Sequence, residues 1–203
     1  MLVHGLYLSG FVFAAMRVWI EREGFRTSTL SYPSMRAGLA QNAARLANHL
    51  RALSARRIHL LGHSLGGAVI LTMLSLLPDP RIARVVLLGS PLTGCHVAQR
   101  MRNSGALRWL LGKSVPEWLD RTGRTTEPSR EIGVIAGSVS LGLGRLVTSI
   151  PGENDGVVRV AETRLPGIAD HLVLRVSHSG IIFSTAVARQ VCAFLRSGRF
   201  DRG

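Results

Sequence analysis

The stretch IHLLGHSLGGAVILTMLSLL, residues 58–77, carries an apolar strand-like run into a glycine-broken turn and on into an apolar segment of helical length. Gly62 and Gly66 stand two residues either side of Ser64, a G-x-S-x-G pattern set between a predicted strand and a predicted helix. A serine hydroxyl becomes a useful nucleophile when a tight turn presents it to a base, and side chains beside such a turn would clash with the strand and helix it joins. The glycines meet that need, so Ser64 is the candidate nucleophile. The start of the helix also offers backbone N–H groups and a favourable dipole to a developing negative charge.

Outward from this turn the same alternation recurs. Strand-like runs lie at 2–3, 27–32, 58–62, 85–89, 132–137 and 171–176, and helical periodicity at 11–23, 36–53, 65–77 and 181–197. Strand and helix in alternation predict an α/β fold, a mostly parallel sheet of about six strands with helices on both faces. Residues 92–131 break the rhythm. There Leu107, Trp109, Leu110, Leu111, Trp118 and Leu119 are interleaved with Arg100, Arg102, Arg108 and Lys113, which reads as a short helical cap inserted into one domain spanning 1–203.

On His4-Gly5, Gly62 through Gly67, Asn154-Asp155-Gly156 and Ser177 through Gly180, the chain resembles the α/β-hydrolase superfamily. It is most similar to the small bacterial serine esterases and lipases and to the related GPI-inositol-deacylase-like group. The resemblance runs over nearly the whole chain and departs from it in two places. The first strands of the larger members are missing, and 92–131 is inserted. The resemblance implies that the His-Gly turn supplies one oxyanion-hole donor, the backbone N–H of Leu6, and that Leu65, directly after the nucleophile, supplies the other. His4 and His63 then have structural roles.

A general base must reach Ser64 and therefore belongs at the carboxyl-end edge of the sheet, where open α/β folds bind their ligands. His178 follows the last predicted strand. His171 opens that strand at the far edge, His59 lies inside a strand, His49 on a helix and His96 at the start of the insertion. The remaining partner must orient the imidazole and stabilise its charged form. Asp155 follows the 132–137 strand and gives the family order Ser64, Asp155, His178, with Glu153 two residues away as the alternative acid. Asp120, in the insertion, and Asp170, before the last strand, are placed worse.

Composition bounds the rest. A chain of 203 residues suits one well-buried core, and its apolar runs of four to eight residues are too short to span a bilayer. Without a visible signal peptide, a cytoplasmic protein is expected. Cys95 and Cys192 read as free thiols, and the seven histidines show no metal-ligand spacing, so neither a metal nor a cofactor is expected. The net charge of +13 comes from 25 basic residues, of which Lys113 is the one lysine. The arginines are scattered and no nucleic-acid motif accompanies them, so no nucleic-acid partner is expected, and an arginine-rich coding bias is the favoured reading of the charge over an anionic partner such as a phospholipid surface.

The expected activity is hydrolysis of a small-molecule or lipid carboxylic ester through an acyl-enzyme on Ser64. Thioesterase and acyltransferase chemistry would use the same groups, and a non-catalytic lipid- or protein-binding role on the same scaffold is the reading of a different class. The mixture of leucine, tryptophan and cations in 92–131 suits either a fixed cap or a lid against an anionic membrane surface.

Overall fold

Strands buried on both faces need apolar residues at successive positions, because neighbours point to opposite sides of the sheet. The three longest strands do this. In β3 (Ile58–His63), β4 (Ile82–Leu88) and β5 (Glu131–Gly137), Leu60, Leu87 and Val134 enter one core while Leu61, Leu88 and Ile135 enter the other. The structure, a computed structural model, describes residues 1–121 and 130–203. β1 (Leu2–Val3), β2 (Thr29–Leu30) and β6 (Asp170–Leu174) complete one sheet in the order β2-β1-β3-β4-β5-β6. Every pairing is parallel, where the sequence predicts a mostly parallel sheet.

Helices α1 (Ala14–Arg22) and α7 (Thr185–Ser197) pack together on one face, and α2 (Leu39–Arg51) and α3 (Leu65–Leu76) on the other. Met16, Ile20, Val187 and Val191 fill the first core, and Leu46, Leu50, Val69 and Met73 the second. Short 3-10 turns, Gly10–Phe13 and Gly180–Phe183, lead into α1 and α7, so each predicted helix is a turn followed by a helix. The chain leaves β1 toward β2 on one side and returns through α2 to β3 on the other. That reversal makes a topological switch point at the carboxyl ends of β1 and β3, where His4 and Ser64 stand.

Between β4 and β5 lie α4 (His96–Arg102), a 3-10 turn at Arg108–Leu111 and α5 (Ser114–Arg121). Residues 122–129 of the expected insertion lie outside the described residues. Its last residue, Glu131, belongs to β5 instead, where it sits in register with Arg84 and pairs with it at 2.8 Å. The insertion is bolted to α2. The Glu117 carboxylate accepts the Leu39 and Ala40 N–H groups at 2.6 and 3.2 Å, satisfying two of the amides that a helix start leaves free. Ser114 Oγ donates to the Ala37 carbonyl at 2.8 Å and accepts from Asn42 Nδ2 at 2.9 Å. A short helix, α6 (Gly144–Val147), follows β5 and packs on α4. Among the described residues no helix is long and apolar enough to cross a membrane.

Candidate active site

Ser64 adopts φ +53° and ψ −123°, a conformation that a non-glycine residue holds only when its surroundings impose it. They do so at both backbone ends. Its N–H donates to the Leu88 carbonyl at 2.9 Å, and its own carbonyl accepts from Gly67 at 3.0 Å. A Cβ on Gly62 would come within 2.8 Å of the Gly67 amide, and one on Gly66 would drive into the Val3 carbonyl oxygen. Close packing of strand, turn and helix therefore requires glycine at both positions.

His178 Nε2 lies 3.1 Å from Ser64 Oγ, and its Nδ1 lies 2.7 Å from Asp155 Oδ2. A carboxylate only accepts, so Nδ1 carries the hydrogen and Nε2 is left to accept from the serine. Asp155 is 1% exposed and fully engaged: Oδ1 accepts the Val157 and Val158 amides at 3.0 and 2.7 Å, and its carbonyl accepts the His178 N–H at 2.8 Å.

The His-Gly turn closes the other side. His4 is buried, with Nδ1 donating to the Gly5 carbonyl at 2.8 Å and Nε2 accepting from the Tyr32 amide at 3.2 Å. Its ring stacks on Tyr32 at 4.2 Å, and the Tyr32 hydroxyl returns a bond to the His4 carbonyl at 2.7 Å. Both His4 nitrogens are used in the neutral state, and burial lowers its pKa in keeping with that. A Cβ on Gly5 would lie 3.0 Å from Ser64 Cβ, so the turn presses against the serine. The amides of Leu6 and Leu65 have no acceptor among the described residues.

The sequence pattern described as "Alpha/beta hydrolase family" matches residues 1–188. The chain belongs to that family. No curated protein matches it by sequence. Among solved structures, the α/β hydrolase is similar to the mature form of the Bacillus licheniformis lipase BlEst2, at a TM-score of 0.77 and 21% identity over 97% of this chain and 90% of that one. It is similar to the metagenomic carboxyl esterase MGS0156, at 0.67 and 23%, covering 87% of this chain and 64% of the esterase. A thermophilic esterase from Thermogutta terrifontis superposes at 0.61 with 17% identity, over 97% and 89% of the two chains.

The other candidates stand apart. In this α/β hydrolase Glu153 is exposed, and the His178 ring pairs with Asp155 and Ser64 instead. Asp120 pairs on the surface with Arg102 at 2.7 Å, and Asp170 with Arg202 at 2.5 Å. His171 is the second residue of β6 and shares a hydrogen bond with Thr163 Oγ1 at 2.8 Å; His49 lies 3.4 Å from Ser28 Oγ on α2. His96 begins α4, and half-buried His59 has its pKa pushed down to about 4, first by burial and then by Arg57 and Arg84.

His63, adjacent to the serine, has a more specific task than packing. Its Nε2–H donates to the His178 carbonyl at 3.0 Å, which ties the histidine loop to the serine turn. Burial pushes its pKa down to about 3, and neighbouring His178 pushes the same way, so the ring stays neutral and the bond persists. Two further residues have roles that the sequence did not assign. Glu162 is a buried carboxylate that accepts the His96 and Arg159 amides at 2.6 and 2.8 Å while pairing with the Arg159 guanidinium, joining the start of the insertion to the loop that carries Asp155. Asn154 organises that loop by accepting from Ser140 Oγ and Gly156 N at 2.6 and 3.0 Å.

Proposed function

We propose that this α/β hydrolase cleaves carboxylic esters through an acyl-enzyme on Ser64. The observation that carries the reading is the hydrogen-bonded line from Ser64 Oγ through His178 to buried Asp155, anchored on a turn held in an unusual backbone conformation. Ser64 Oγ attacks the acyl carbonyl carbon as its proton passes to His178 Nε2. Asp155 Oδ2 then faces an imidazolium and stabilises it, as the acid of a serine triad does. The Leu65 amide at the start of α3 and the Leu6 amide are the donors for the tetrahedral oxyanion; both are unclaimed by protein acceptors. His178 returns the proton to the leaving alkoxide, and water, activated by the same imidazole, releases the acid and restores Ser64. The similar structures bearing the names lipase and esterase add weight to an ester over other acyl substrates.

Hydrolysis of nitrophenyl esters of increasing chain length tests this directly. Ser64→Ala and His178→Ala should each lower kcat by roughly 10⁶, with no further loss when combined, because nucleophile and base act as one unit. Parent-like turnover by a folded Ser64→Ala chain would end the proposal.

A further inference from the structure

Among the described residues ten large hydrophobic side chains are exposed, and only Val18 and Leu76 lie away from the carboxyl-end edge of the sheet. The rest rise from the loops around Ser64. Phe11 and Phe183 sit on the two 3-10 turns that pack against each other in front of α1 and α7. Tyr7 donates its hydroxyl to the Leu110 carbonyl, which joins the His-Gly turn to the segment bearing Trp109. That segment packs on α4, and α4 packs on α6, which presents Leu143 (its N-cap) and Leu146. Gly142 and Gly144 in turn rest against Gly156, next to Asp155. The apolar side chains thus form a partial ring about the candidate nucleophile, with Trp109 69% and Leu146 83% exposed.

Cations flank this ring. Arg100, Arg108 and Lys113 are exposed and pair with no carboxylate among the described residues. Among the described residues the neighbouring acids are already engaged: Asp120 with Arg102, Glu117 on the start of α2, and Glu162 in the interior. Glu153 is the exposed exception among them. Exposed tryptophan, tyrosine and leucine with unpaired cations beside Trp109 match the two chemistries of an anionic bilayer surface, its apolar boundary and its phosphates. A second copy of this chain fits poorly, because it would set cations against cations on a protein of net charge +13.

We infer that the edge around Ser64 docks onto anionic phospholipid surfaces, the apolar ring entering the headgroup region while Arg100, Arg108 and Lys113 contact phosphates. The inference rests on the ester-hydrolase reading for its purpose, delivery of a lipid-embedded ester to Ser64, and its test is independent of turnover. The Ser64→Ala chain is mixed with vesicles of phosphatidylglycerol and phosphatidylcholine, or of phosphatidylcholine alone, and sedimented. It should pellet with the anionic vesicles at low salt, be released as salt screens the charges, and stay in solution with the neutral ones. Arg100→Gln, Arg108→Gln and Lys113→Gln together should weaken binding by about 10²-fold. Trp109→Ser with Leu143→Ser and Leu146→Ser should also weaken it. Introduced into the parent chain, both sets should leave turnover of a short water-soluble ester unchanged.

No pelleting at low salt, equal pelleting by either variant set, or equal binding to neutral vesicles would overturn the inference. Vesicle binding by a parent chain that hydrolyses no ester would uphold docking and remove the ester-hydrolase reading. Hydrolysis without binding would do the reverse.

Discussion

The serine turn and the segment between β4 and β5 share one edge of the sheet, yet they are held in opposite ways. The turn is a local construction: Gly62, Ser64 and Gly66 lie within five residues, and each is fixed by backbone that touches it directly. The insertion is held from a distance, by Glu117 on the first amides of α2 and by Ser114 on the Ala37 carbonyl. Its outer side chains are left in water, Trp109 among them. The difference teaches where rigidity is spent on this edge. Atoms that must meet within hydrogen-bond distance are overdetermined, while the platform beside them is pinned through a few side chains and leaves its outer face in water.

Mutations can break that contrast, and the largest effect belongs to the chemistry. Asp155→Asn should lower kcat on a soluble ester by about 10⁴ with the circular dichroism unchanged, since the wrong histidine tautomer results, whereas Glu153→Gln should leave the rate intact. The glycines offer a direct comparison in stability. Gly66→Ala should cost about 3 kcal/mol or more in urea unfolding, because its Cβ meets the backbone carbonyl of Val3, which cannot swing aside. Gly105→Ala in the insertion has open space and should change stability by less than about 0.5 kcal/mol.

Acid should act on the turn next. Burial pushes the pKa of native His63 down to about 3, against about 6.5 for a free histidine, so between these values the unfolded chain binds the additional proton and stability falls as pH is lowered. From pH 6.5 to 5 that is about 2 kcal/mol, to which His4 and His59 add in the same direction. Urea midpoints across this window should fall less steeply in His63→Gln. The smallest effect belongs to the platform. Glu117→Gln should cost about 1 to 2 kcal/mol by weakening the cap on α2, with turnover of a soluble ester preserved.

Much of this was legible in the sequence, for physical reasons. Buried parallel strands have to be apolar run by run, so 58–62, 85–89 and 132–137 announce the sheet, and a residue directly after a strand falls at its carboxyl end. That is why Ser64 and His178 could be placed on one edge from their positions, whereas Asp155, well past the end of β5, was chosen over Glu153 by the family order. Long-range partners were not legible. Nothing in the spacing shows that Glu117 reaches the amide of Leu39, that Tyr32 clamps His4, or that Glu162 lies buried beneath the insertion. Nor does it show that Trp118 is buried while Trp109 faces water, because both stand in the same mixture of leucine and arginine. The strands β1 and β2 are two residues each, too short for their own pattern to choose neighbours; position in the sheet sets their pairing.

The central claim, that Ser64 is a nucleophile activated by His178, is tested most directly by a fluorophosphonate probe followed by peptide mass spectrometry. The probe reacts at phosphorus with an activated serine oxygen and needs no knowledge of the natural ester. One adduct per chain on Ser64, absent in Ser64→Ala and greatly slowed in His178→Ala, is the result expected. A folded chain whose Ser64 stays unmodified, or is modified as fast without His178, would contradict the mechanism.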